Sequence, residues 1–123
     1  MASPLRNDNE GAGSDNLTIE ILYLPDCQNY LPALRNLREA MHEDHVAAPI
    51  THIAVCDQAM AERVGFLGSP TIRVNGNDIE PAARSARDVG MCCRRYGTTG
   101  VPPVAMIRQA LREARRQEEE FSS

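Results

Sequence analysis

The apolar positions of this chain change period several times, and each change marks an element. Residues 17–24 place Leu17, Ile19, Ile21 and Tyr23 on one face and Leu22 and Leu24 on the other. Nearly continuous apolar character over eight residues suits a central strand covered on both sides. Leu31, Leu34, Leu37, Arg38 and Met41 then recur at helical spacing, which predicts an amphipathic helix from residue 28 to about 44. Pro32 falls in its first turn, where a missing N–H does no harm. After Pro49 the period returns to two: Ile50, His52 and Ala54 alternate with Thr51, Ile53 and Val55, the pattern of a second strand.

Asp57 is placed to cap a short helix over residues 58–64 that Gly65 stops. A third strand spans 71–74, and Asn75-Gly76 signals a tight hairpin into a fourth, about 77–80, that Pro81 ends. Residues 82–101 are interrupted by Gly90, Gly97 and Gly100 and read as loop with at most a helical turn. Pro102-Pro103 opens a last helix whose apolar stripe is Val104, Ile107, Ala110 and Leu111. The order βαβαββα predicts an α/β domain: a four-stranded mixed sheet with helices on both faces. That domain covers 17–115. Residues 1–16, with only Met1 and Leu5 as sizeable apolar side chains, are expected to be a disordered arm, and the charged 116–123 a frayed tail.

Composition narrows the partners. The formal charge is −4, all thirteen basic residues are arginine, and the aromatics are two phenylalanines and three tyrosines. That balance argues against a nucleic-acid binder. No run reaches the roughly 18 apolar residues of a membrane span, and residues 1–16 lack the apolar core of an export signal, so a cytoplasmic location is expected.

The chemistry lies in the cysteines: Cys27, Cys56, Cys92 and Cys93. In a reducing compartment four thiols are reactive, metal-binding or buried rather than a structural disulfide set. Cys27 follows the first strand where the first helix is expected to begin, and a helix N-terminus favours a thiolate, the reactive form. The neighbouring Asp26 opposes that by like-charge repulsion. Cys56, at the end of an interior strand, reads as packing. His42, His45 and His52 lack a ligand-like arrangement and read as a solvated face. Neither a histidine–carboxylate metal site nor a bound cofactor is indicated, and no phosphate loop, Ser-His-Asp order or paired carboxylates are discernible.

Pro25-Asp26-Cys27 after the first strand, Ser69-Pro70-Thr71 before the third, and the Asn75-Gly76 hairpin together resemble the thioredoxin-like superfamily in its short, glutaredoxin-sized form. More narrowly, 68–76, Cys93-Arg94-Arg95-Tyr96 and Gly100-Val101-Pro102-Pro103 are similar to a group of small bacterial thioredoxin-family proteins, some of which carry an alkylmercury-lyase label. The resemblance spans about residues 17–115 and implies a cis Pro70. It also implies that Ser69 offers its backbone N–H and C=O to a substrate beside Cys27. The departure is at the motif: there is no Cys-x-x-Cys, and Tyr30 stands where a dithiol member has its second cysteine. Tyr30 is therefore grouped with Ser69 and Pro70 as substrate-binding.

In this fold the segment after the fourth strand returns toward the active-site end, bringing Cys92 and Cys93 into play. One of them, Cys93 by preference, is a candidate to resolve an oxidised Cys27; the thiols together are candidates for gripping a soft metal ion; or the two pair with each other. The bland alternative is two small loop residues. Arg94 and Arg95 are candidates for supporting a thiolate or holding a substrate carboxylate such as that of glutathione, or plain surface charge. The leading expectation is thiol–disulfide exchange with a small thiol or protein disulfide, Cys27, Cys93 and Cys92 being the catalytic thiols. The alternatives are a soft-metal module handling mercury, copper or zinc, and a catalytically silent interaction domain.

Overall fold

The computed structural model describes residues 16–84, 89–92, 94–96 and 99–122. The expected arm, residues 1–16, lies outside the described residues but for Asn16, and so does Cys93. The elements run β1 (Ile19–Tyr23), α1 (Tyr30–Glu43), β2 (Ile50–Ala54), α2 (Gln58–Val64), β3 (Thr71–Val74), β4 (Asn77–Asp78), a 3-10 turn (Pro81–Ala83) and α3 (Val104–Ser122). They form an α/β domain around one four-stranded mixed sheet in the order β2-β1-β3-β4. β1 and β2 are parallel, with Tyr23 opposite Ala54 at their carboxyl ends. β3 runs antiparallel to β1, and β4 to β3.

Alternation along the strands divides the core in two. Ile19, Ile21, Ile72 and Val74 face the side covered by α1 and α3, where they join Leu34, Leu37, Ile107 and Leu111. Leu22 and Val55 face the other side with Ala61 of α2 and Phe66. Phe66 is fully buried, worth about 1.5–3 kcal/mol relative to an exposed ring.

The sequence signals at α2 hold in detail. Asp57 Oδ1 accepts the N–H of Met60 at 2.8 Å, and the chain leaves the helix at a left-handed Gly65. Arg73, on the same sheet face, donates to the carbonyls of Val64 and Gly65 at 2.8 and 2.9 Å and so closes that helix end. Asn75 and Gly76 both adopt positive φ, as a tight hairpin turn requires.

Three expectations shift. α1 starts at Tyr30, not residue 28. Leu31 is 64% exposed, because at 100° per residue it lies roughly 120° round the helix from the face made by Ala33, Leu34, Leu37, Ala40 and Met41. β4 is only two residues long, because the chain turns at Glu80, whose N–H donates to Asp78 Oδ1 at 2.8 Å. The backbone of α3 is helical from Val104 through Ser122. Among the described residues no helix is long and apolar enough to cross a membrane.

Candidate functional site

β1 ends at Tyr23, and the chain folds back at once: Cys27 donates its N–H to the carbonyl of Leu24 at 3.0 Å, and Tyr30 donates to the carbonyl of Cys27 at 3.4 Å. Cys27 therefore occupies the turn before α1 rather than the first turn of the helix, whose N-cap is Asn29. Favourable alignment with the helix dipole, expected from a start at residue 28, is reduced accordingly, since that field fades beyond the terminal turn. The thiol is half-buried and unpaired in a disulfide.

A cleft of about 570 Å³ opens above the carboxyl ends of β1 and β2. It is lined by Leu24, Pro25, Asp26, Cys27, Gln28, Asn29, Cys56 and Met91. In open α/β sheets the carboxyl ends of parallel strands are where ligands bind.

The Ser69–Pro70 peptide bond is cis and belongs to the same end of the molecule. Ser69 is fully buried, and its Oγ accepts the N–H of Leu24 at 2.9 Å. That one bond ties the loop before β3 to the residue that starts the Cys27 turn. The backbone of Ser69 is not open, however. Its N–H donates to the carbonyl of Cys92 at 2.8 Å, and its carbonyl accepts the N–H of Arg94 at 2.9 Å. The groups expected to receive a substrate are used by the chain's own segment, which also pairs Gly90 N–H with the carbonyl of Phe66 at 3.1 Å.

Arg94 holds that segment down. Its guanidinium is buried, donates to Asp78 Oδ2 at 2.6 Å and Oδ1 at 2.8 Å, to Glu80 Oε1 at 3.0 Å, and to Thr71 Oγ1 at 3.1 Å. It also lies 4.7 Å from the centre of the Tyr96 ring. Both terminal nitrogens of the fork are spent on the chain's own oxygens, so Arg94 is a structural cation and not a receptor for a substrate carboxylate. Arg95 is exposed. Burial pushes the Tyr96 phenol far above its ordinary range, keeping it a donor; its hydroxyl bonds the carbonyl of Pro70 at 2.5 Å.

Tyr30 turns elsewhere. Its ring stacks on Tyr23 with centroids 3.9 Å apart, and its hydroxyl meets His52 Nδ1 at 2.6 Å. Partial burial and the Tyr23 phenol raise its pKa. Among the described residues lining the Cys27 cleft, Tyr30 is not one. His52 is exposed, as a solvated face requires, with Tyr30 as partner.

Cys56 departs most from expectation. It is exposed and shares the cleft with Cys27 instead of packing. The physical reason is parity: β2 ends at Ala54, Val55 takes the interior position at 0% exposure, and the next side chain is sent outward. The signal that finds it is a cysteine directly before a helix-capping Asp57, at the carboxyl end of the strand parallel to β1. Cys92 is exposed and adjoins the cleft through Met91. Cys93, the preferred resolving thiol, lies outside the described residues. Among the described residues no group of three His, Cys, Asp or Glu is placed to hold a metal ion.

A scan against protein-family models finds none that matches this chain. A search of curated proteins finds no significant match.

Proposed function

We propose that this chain is a thioredoxin-like thiol protein that exchanges disulfides with small thiol compounds through Cys27. The observation that carries the reading is the union, at one end of the sheet, of a half-buried thiol in a cleft with the Ser69–Pro70 loop, which Ser69 Oγ bonds to the N–H of Leu24. The parallel β1–β2 pair, the antiparallel β3–β4 hairpin and helices on both faces support the fold assignment.

The internal pairing of Ser69 narrows the substrate. An extended polypeptide docking on that backbone must first displace Cys92 and Arg94 from Ser69. A small disulfide entering the 570 Å³ cleft displaces nothing. Small thiol compounds are therefore favoured over protein disulfides.

The test is a coupled assay with 2-hydroxyethyl disulfide and glutathione, on wild type and Cys27→Ser. Turnover by wild type that the variant loses supports the reading. Equal turnover in both, or none in either, overturns it.

Met91 favours a second reading. A thioether beside thiols in one cleft is a donor set that selects soft cations such as cuprous or mercuric ion. Stoichiometric binding that Cys27→Ser abolishes, with no disulfide turnover, would place the protein in that class.

A further inference from the structure

We infer that Cys56, rather than a cysteine of the 92–93 pair, is the thiol that resolves a mixed disulfide on Cys27. The inference rests on the proposed role of Cys27 and adds its partner.

Three observations converge. Cys27 and Cys56 line one cleft, which among the described residues Cys92 does not. Each follows the carboxyl end of one of two adjacent parallel strands, whose register pairs Tyr23 with Ala54. Neighbouring strands stand about 4.8 Å apart, so the two turns that carry the cysteines leave the sheet side by side. The Cys56 sulfur leans back over the end of its strand, 3.8 Å from the carbonyl of Ala54, and the Cys27 turn folds back over Leu24. Both thiols are reachable from solvent. Cys92, in contrast, has its carbonyl committed to Ser69, and Arg94, two residues on, is held to Ser69 and in a buried ion pair, so moving Cys92 toward Cys27 disturbs those contacts.

The chemistry balances without an outside oxidant other than the substrate. Cys27 thiolate attacks one sulfur of a small disulfide RSSR; a Cys27–SR bond forms and RS⁻ leaves. Cys56 thiolate then attacks the Cys27 sulfur; the Cys27–Cys56 bond forms and the second RS⁻ leaves. Two protons from the protein thiols convert both leaving groups to RSH. The substrate gains two electrons, and the cysteine pair loses them.

The experiment is a single turnover of the reduced full-length chain with glutathione disulfide, quenched by acid and mapped by non-reducing peptide mass spectrometry. Wild type and Cys56→Ser are compared; the exposed site makes serine an easy replacement. A Cys27–Cys56 linkage in wild type, with a glutathione adduct on Cys27 persisting at least tenfold longer in Cys56→Ser, is the expected result. Linkage of Cys27 to Cys92 or Cys93, or an adduct equally long-lived in both proteins, overturns the role of Cys56 while leaving Cys27 as nucleophile. An adduct on Cys27 in neither protein overturns both.

Discussion

The backbone N–H of Arg94 donates to the carbonyl of Ser69 at 2.9 Å, while the guanidinium of the same residue reaches Asp78 at the end of the edge strand β4. One residue thus fastens the loop carrying the cis peptide and the strand β4 to a segment with little regular structure. The arrangement gives the cleft a fixed wall: Met91 lies three residues before Arg94, and Asn29, on the facing turn, packs where Gly100 has no side chain. Rigidity there is supplied by a buried ion pair instead of by a helix or strand.

Replacing Arg94 by Met should therefore be severe. Asp78, about as buried as its partner, would lose the guanidinium that meets both of its carboxylate oxygens. Removing one member of such a pair costs about 3–5 kcal/mol, and Lys should not rescue it because a two-pronged contact needs the guanidinium. Urea unfolding of Arg94→Met, and of a double variant with Asp78→Leu, checks this. A single variant within 1 kcal/mol of wild type, or a double no better than the single, would contradict it.

Gly68 offers an independent test of the same wall. Its φ is +132°, and a Cβ there would sit 3.2 Å from both Arg94 Cβ and the carbonyl oxygen of Cys92. Gly68→Ala is expected to lose about 1–3 kcal/mol from backbone strain alone. It should also speed alkylation of Cys92, whose segment must move away. Unchanged stability and an unchanged alkylation rate by iodoacetamide would show that this approach is looser than described.

How much of this was legible in the chain depends on where the information is carried. The hairpin was, because Asn75-Gly76 is a side-chain signature of positive φ, and so was α2, bracketed by Asp57 and Gly65. The two-sided burial of β1 follows from its nearly continuous apolar run. The pairing of Ser69 with Cys92 and Arg94 was not, because backbone groups of any residue can make it. The burial of Arg94 leaves no mark in the local sequence because its partners, Asp78, Glu80 and Thr71, lie 14 to 23 residues away. Cys56 was misplaced by one residue of strand parity: with Val55 buried, its neighbour has to face out.

Ser69→Ala isolates the link between the cis loop and the Cys27 turn. Loss of the Oγ leaves the N–H of Leu24 without its acceptor at a part-buried position. An unsatisfied group of this kind costs about 1–3 kcal/mol. The Cys27 turn, released at its first residue, should show faster amide exchange at Leu24 and Cys27 than elsewhere in the sheet. Hydrogen exchange by NMR checks both sites, and protection equal to wild type at both would remove the link.

Tyr96 makes stability depend on alkaline pH. Burial holds its phenol well above the unfolded value near 10, so between those two values the unfolded chain has released a proton that the folded chain retains. The stabilisation is complete below pH ~10 and declines as pH rises through the folded-state value, by about 1.4 kcal/mol per pH unit for one proton. Tyr30, shifted the same way but more exposed, adds a smaller slope of the same sign. Tyr96→Phe should lose about 1–3 kcal/mol at neutral pH, since it strips the buried carbonyl of Pro70 of its donor. The variant should also unfold in urea with a visibly flatter dependence between pH 9 and 11, while Tyr30→Phe retains most of the wild-type slope. If Tyr96→Phe and wild type lose stability in parallel over that range, the phenol is ionising in the folded protein as it does in water, and its closed setting under Arg94 is wrong.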